Sequence, residues 1–111
     1  MPATFDFTDE FAIVIGDDFS HEFVWEDANC DPLPLTGEFH AQIRKAGNLI
    51  ATFVCTITGA DSNIVRLELP SAVTNTLSPV KNASWDLEHH DPEVTTVLAG
   101  SVCIEKGVTE T

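Results

Sequence analysis

A period of two constrains this chain more than anything else in it. In the run DFSHEFVWED, Phe19, His21, Phe23 and Trp25 fall on one side of an extended backbone, and Ser20, Glu22 and Glu26 fall on the other. Such alternation marks a strand with one face toward a core and one toward water. Phe39, Ala41 and Ile43 alternate with His40, Gln42 and Arg44 in the same way, and the turn Lys45-Ala46-Gly47-Asn48 then returns the chain through LIATFVCTITG. There Leu49, Ala51, Phe53, Cys55 and Ile57 share one face, while Ile50 and Val54 predict that the other face is partly covered as well. No long stretch carries helical spacing.

The remaining elements follow from punctuation. Gly59-Ala60-Asp61-Ser62-Asn63 reads as a turn and Ile64 to Leu69 as a further strand. Pro70 to Leu77 is the one candidate helix, a turn or two closed by Ser78-Pro79. Asn82 to Glu88 and Thr95 to Glu105 form the last pair, and Thr4 to Thr8 and Phe11 to Ile15 supply short strands upstream. Seven or eight short strands predict an all-β fold, an antiparallel sandwich in a single domain spanning 1–111, with 1–10 as an extended arm and 106–111 as a flexible tail. The expected core is Phe19, Phe23, Trp25, Phe39, Ile43, Phe53, Leu67, Trp85, Leu87, Leu98 and Val102.

Eighteen acidic residues against five basic ones give a formal charge of −13, which opposes binding to nucleic acid or anionic membranes. No apolar run approaches the ~20 residues of a membrane span, and the N-terminus lacks the pattern of a secretion signal. Cys30, Cys55 and Cys103 are far apart and odd in number, indicating neither a zinc site nor a disulfide framework, and fit a reducing cytoplasm.

The stretch SWDLEHHDPEV gathers His89, His90 and several carboxylates. Successive strand residues point to opposite faces, so the two imidazoles are a poor chelate. His89 is expected to continue the inward face of Trp85 and Leu87, with His90 and Asp91 entering the turn. That favours a hairpin tip over a metal site or a pH-sensitive contact. His21 is expected at the edge of the core and His40 in solvent. Asp17, Asp18, Glu26, Asp27 and Asp31 lack the spacing of a calcium loop. No nucleophile elbow, phosphate loop or cofactor fingerprint is present, so no catalytic, cofactor-binding or metal residue is assigned and no cofactor is expected.

Several segments, taken in order, resemble a widespread family of small bacteriophage virion proteins, similar to the N-terminal domain of baseplate upper proteins. They are Ile15-Gly16-Asp17-Asp18-Phe19, Val24-Trp25-Glu26-Asp27, Pro34-Leu35-Thr36-Gly37, Ala41-Gln42-Ile43-Arg44, Leu67-Glu68-Leu69-Pro70, the run Ala72 to Leu77, Trp85-Asp86-Leu87-Glu88, and Leu98-Ala99-Gly100-Ser101-Val102. The resemblance implies an immunoglobulin-like sandwich, a non-enzymatic adaptor or mounting module of the tail or baseplate, assembled in the host bacterial cytoplasm into the virion. It also implies several copies per particle, with other tail, baseplate or fibre proteins as partners. A capsid decoration protein on the major capsid protein is the alternative, and a carbohydrate-binding module is the alternative of another class. Candidate contact residues are Phe5 and Phe7 in the N-terminal segment and Cys30, Asp31, Pro32, Leu33 and Pro34 in the longest loop, together with the C-terminal tail.

Overall fold

A computed structural model describes residues 3–106, so the tail from 107 onward, a candidate contact, lies outside the described residues. The fold is all-β. Its strands are β1 (Ala3–Thr4), β2 (Ile13–Val14), β3 (Phe19–Val24), β4 (Glu38–Lys45), β5 (Asn48–Thr58), β6 (Ile64–Leu69), β7 (Val80–His90) and β8 (Val94–Glu105), with a 3₁₀ turn at Asp9–Phe11 and a helical turn, α1 (Ser71–Thr74). They form a curled sheet in the order β1-β8-β7-β4-β5-β6-β3, with β2 also beside β8. The main ladders are antiparallel as the short turns require, but β1 and β2 both run parallel to β8.

The long strand β5 makes the curl. Its first half, to Phe53, pairs with β4, and its second half, from Val54, pairs with β6. The two halves of the sheet therefore face each other, and Phe23 of β3 stacks on Trp85 of β7 with ring centroids 5.9 Å apart. Phe39, Ile43, Phe53, Leu67, Trp85, Leu87, Leu98 and Val102 are all buried, as their register predicts, and Phe7, Ile13, Val65, Leu69 and Ile104 join them.

Three expected core residues sit differently. Phe19 and Phe23 pack against the core but are only partly buried, because β3 is an edge strand with no neighbour on one side, and Trp25, just past the end of that strand, is partly buried as well. The coverage expected over the second face of β5 is also absent at Val54, which is 54% exposed. Leu49 leaves the inward face because Ile43 pairs with Ala51 while Arg44 pairs with Leu49, so a bulge at Ile50 turns Leu49 outward.

The N-terminal segment is part of the sheet and not a free arm. The Phe5 amide donates to the Ala99 carbonyl at 3.0 Å, the Phe7 amide donates to Ser101 at 2.8 Å, and the Phe7 carbonyl accepts from the Cys103 amide at 2.9 Å. Two further contacts fix it. The Trp85 indole Nε1–H donates to the Phe5 carbonyl at 2.7 Å. Gly100 stands opposite Trp85, and a Cβ there would lie 1.9 Å from that same carbonyl oxygen, so only glycine lets the two backbones approach.

At the other side of the molecule the helical turn lies where the proline and the Ser-Pro stop place it. Asp18 Oδ1 accepts the Ser71 amide at 2.6 Å, and the buried Thr74 hydroxyl donates to the Asp17 carbonyl at 2.8 Å. The Asp18 carboxylate and the Asp17 backbone carbonyl thus hold this turn, and the six residues of β3 separate both from Glu26, Asp27 and Asp31.

Candidate functional site

The strand ends divide the molecule chemically. At one end lie the loop 25–37, the turn 59–63 and the β7–β8 tip, which carry Glu26, Asp27, Asp31, Glu38, Asp61, Glu88, Asp91 and Glu93 with no lysine or arginine among them. Arg44, Lys45, Lys81 and Lys106 all sit toward the opposite end, where Lys45 Nζ donates to the Lys81 carbonyl at 2.9 Å and caps the bulge before Ala83. Arg66 lies between the ends, paired with Glu22 at 2.8 Å. The acidic end is the candidate contact surface.

Within it the loop is held by its own backbone. Asp27 Oδ1 accepts the amides of Asn29 and Asp31 at 2.8 and 3.1 Å, an Asx turn that places Cys30 at φ 65°. The Leu33 amide donates to Trp25 and the Leu35 amide to Ser62, at 3.2 and 2.8 Å. Cys30, Asp31, Pro32, Leu33 and Pro34 are all exposed on this anchored loop, with Leu33 at 42%. Phe5 and Phe7 do not belong with them. Phe7 is fully buried, which corrects its assignment as a contact residue, and Phe5 is partly buried beside it, since alternate aromatics on a paired strand turn inward.

The hairpin tip clamps the loop. Thr36 donates its hydroxyl to the Asp91 carboxylate. Gly37 has φ 83°, and a Cβ on it would stand 2.6 Å from both the His90 carbonyl and the Asp91 Cβ. His89 faces inward, its ring stacked on Phe39 at 4.6 Å, and its Nε2 lies 2.7 Å from the Thr36 carbonyl. A carbonyl can only accept, so Nε2 carries the proton.

His90 is the last residue of β7 and not yet in the turn. It points outward, with its ring 4.4 Å from that of His40 and its Nε2 3.1 Å from Glu88 Oε1. Adjacent histidines therefore serve opposite faces, and among the described residues no three His, Cys, Asp or Glu side chains gather to hold a metal ion. His89→Ala is expected to cost about 1–2 kcal/mol, more than the register alone suggests, because a hydrogen bond and a stack are lost together. His90→Ala should stay within about 0.5 kcal/mol. Urea titration of the two variants separates them, and equal effects would refute the placement.

His21 lies in a ring of aromatics, with centroids 4.8 Å from Phe5, 5.4 Å from Phe7, 5.7 Å from Phe11 and 4.8 Å from Phe23. Burial lowers its pKa from the ordinary 6.5, against an opposing pull from Glu22. The unfolded chain then binds a proton before the folded one does. Its contribution to stability is full above pH 6.5 and is lost as pH falls from there toward the folded value. Melting temperatures at pH 7.5 and 5.5 should drop more for the wild type than for His21→Gln, and a parallel drop would exclude this role.

Burial, with Glu88 adding to it, pushes the Asp86 carboxyl up against the opposing Arg44. Cys55, part-buried, has its thiol pushed up to about 11, which keeps it protonated and unreactive near neutrality, whereas Cys30 is exposed. An open cleft of about 460 Å³ marks where β4 and β5 part, lined by Phe39, Phe53 and Ile57 among others. The polarity of the two ends and the clamp at Gly37 were missed in the sequence, although the clustering of lysines at strand ends could have revealed the first. Neither a family model nor a curated protein matches the chain.

Proposed function

We propose that this chain is a non-enzymatic structural protein of a bacteriophage particle, an adaptor in the tail or baseplate that mounts a neighbouring component such as a fibre. Its curled sheet is read as an immunoglobulin-like sandwich, with β5 as the strand that passes from one layer to the other. The observation that carries the reading is the acidic loop end, an exposed loop anchored to a rigid strand framework and free of lysine and arginine. Such a surface fits a basic patch on a partner in a multi-copy assembly, and at −13 the chain repels phosphate backbones and anionic lipid.

The tagged protein is expected to capture a tail or baseplate component from disrupted virions, and Asp31→Lys combined with Asp61→Lys, both exposed at the acidic end, should weaken that capture without unfolding the domain. Capture of no tail component ends the proposal. Immunolabelling on heads would move the protein to the capsid surface instead. Glycan-array binding abolished by Trp25→Ala, with the fold intact, would make it a carbohydrate-binding module.

A further inference from the structure

The N-terminal segment is longer than the track it follows. Ala3 pairs with Leu98 and Val14 with Glu105, so eleven steps of chain run beside seven steps of β8. The surplus of four residues is taken up between Phe7, which bridges to Val102, and Ile13, which pairs with Ile104, around the 3₁₀ turn Asp9–Phe11. Asp9 enters that turn at φ 53°, a left-handed conformation that a non-glycine residue adopts at a cost, and Phe11 on it is 43% exposed. Short hinges under strain favour exchange of the element they carry.

The seat for residues 3–8 is built from the far end of the chain. It consists of the Gly100 gap, the Trp85 indole N–H, the Ser101 amide that donates to Asp6 Oδ1 at 2.9 Å, and the pocket that Phe7 fills. None of these groups depends on the segment being covalently near. We propose that straightening the Asp9–Phe11 turn lets two copies exchange residues 3–8, each segment occupying the β8 seat of the other in a reciprocal dimer. Every contact of the seat is remade in the exchange, so the equilibrium is governed by the hinge and by concentration. Mutual repulsion between two chains of −13 opposes the dimer, and salt should favour it by screening. The inference stands whether or not the virion reading does.

The test uses the full chain with Cys30→Ser, Cys103→Ser, Thr4→Cys and Ala99→Cys, the last two being register partners on adjacent strands. The protein is incubated at high concentration and high salt, oxidised, and resolved by size exclusion and non-reducing electrophoresis. The expected result is a dimer fraction that rises with concentration and is covalently joined between chains. Asp9→Gly, which tolerates the left-handed backbone, should lower the dimerisation constant roughly tenfold. Asp9→Pro, whose ring forbids that φ, should raise it. If Asp9→Pro does not fold, the parent and the glycine variant decide the matter. Disulfides that stay within single chains at every concentration overturn the proposal, and so does a dimer whose chains separate on the non-reducing gel.

Discussion

Replacing Trp85 by alanine is expected to lower the unfolding free energy by about 3–5 kcal/mol. The side chain is 3% exposed, stacks on Phe23, and has its ring centroid 4.7 Å from that of Phe7. Truncation leaves a cavity and also strips the Phe5 carbonyl of its indole donor. Trp85→Phe should recover most of the loss, leaving about 1 kcal/mol for the hydrogen bond. Circular dichroism in urea is the suitable readout, since fluorescence would lose one of its two tryptophans. A loss under about 1 kcal/mol for Trp85→Ala would mean that the curled sheet does not close over this residue.

Phe7→Ala carries a similar expected cost, about 3–5 kcal/mol, although it sits only a few residues from the start of the described chain. Its signature differs. The amides of Phe7 and Cys103, which the segment pairs with β8, should exchange with solvent much faster, while β4 and β5 stay protected. Because the Phe7 and Trp85 rings touch, the double variant should depart from additivity by about 0.5–3 kcal/mol. A contact residue would behave in the opposite way, with stability unchanged and capture of a partner lost.

Much of this fold was legible from alternation alone. Ala41 and Ile43 on β4, Leu67 on β6 and Leu87 on β7 lie inward because side chains of a paired strand have no other choice once one face meets a core. What alternation does not encode is which strand has a neighbour. Phe19 and Phe23 obey the same rule as Phe53, yet β3 ends the sheet and leaves them half wet. Leu49 fails for a different reason, since one extra residue in β5 inverts the parity of everything before it. Phe5 and Phe7 carried the correct F-x-F pattern, but their place at the start of the chain suggested an arm, and the parallel pairing with β8 depends on a residue 93 positions away at Gly100.

The candidate contact surface was legible in part. The loop from Cys30 to Pro34 is outside because two prolines cannot serve a central ladder, and that inference needs only the residue types. Its rigidity does not follow from composition. Thr36, Gly37 and Asp91 meet only when the β7–β8 tip folds beside the loop, a contact between segments 54 residues apart at Gly37 and Asp91. The confinement of Arg44, Lys45, Lys81 and Lys106 to one end likewise arises from antiparallel pairing, which brings the end of β4, the start of β7 and the end of β8 together.

The pairing of β1 with β8 also bears on how the molecule is made. A ribosome delivers Phe7 long before it delivers Gly100 and Ser101, so the nascent chain holds an oily aromatic with nowhere to put it until nearly the whole domain has emerged. Closure must therefore be late, and a folding helper that shelters residues 3–8 during synthesis would act on the step most exposed to aggregation.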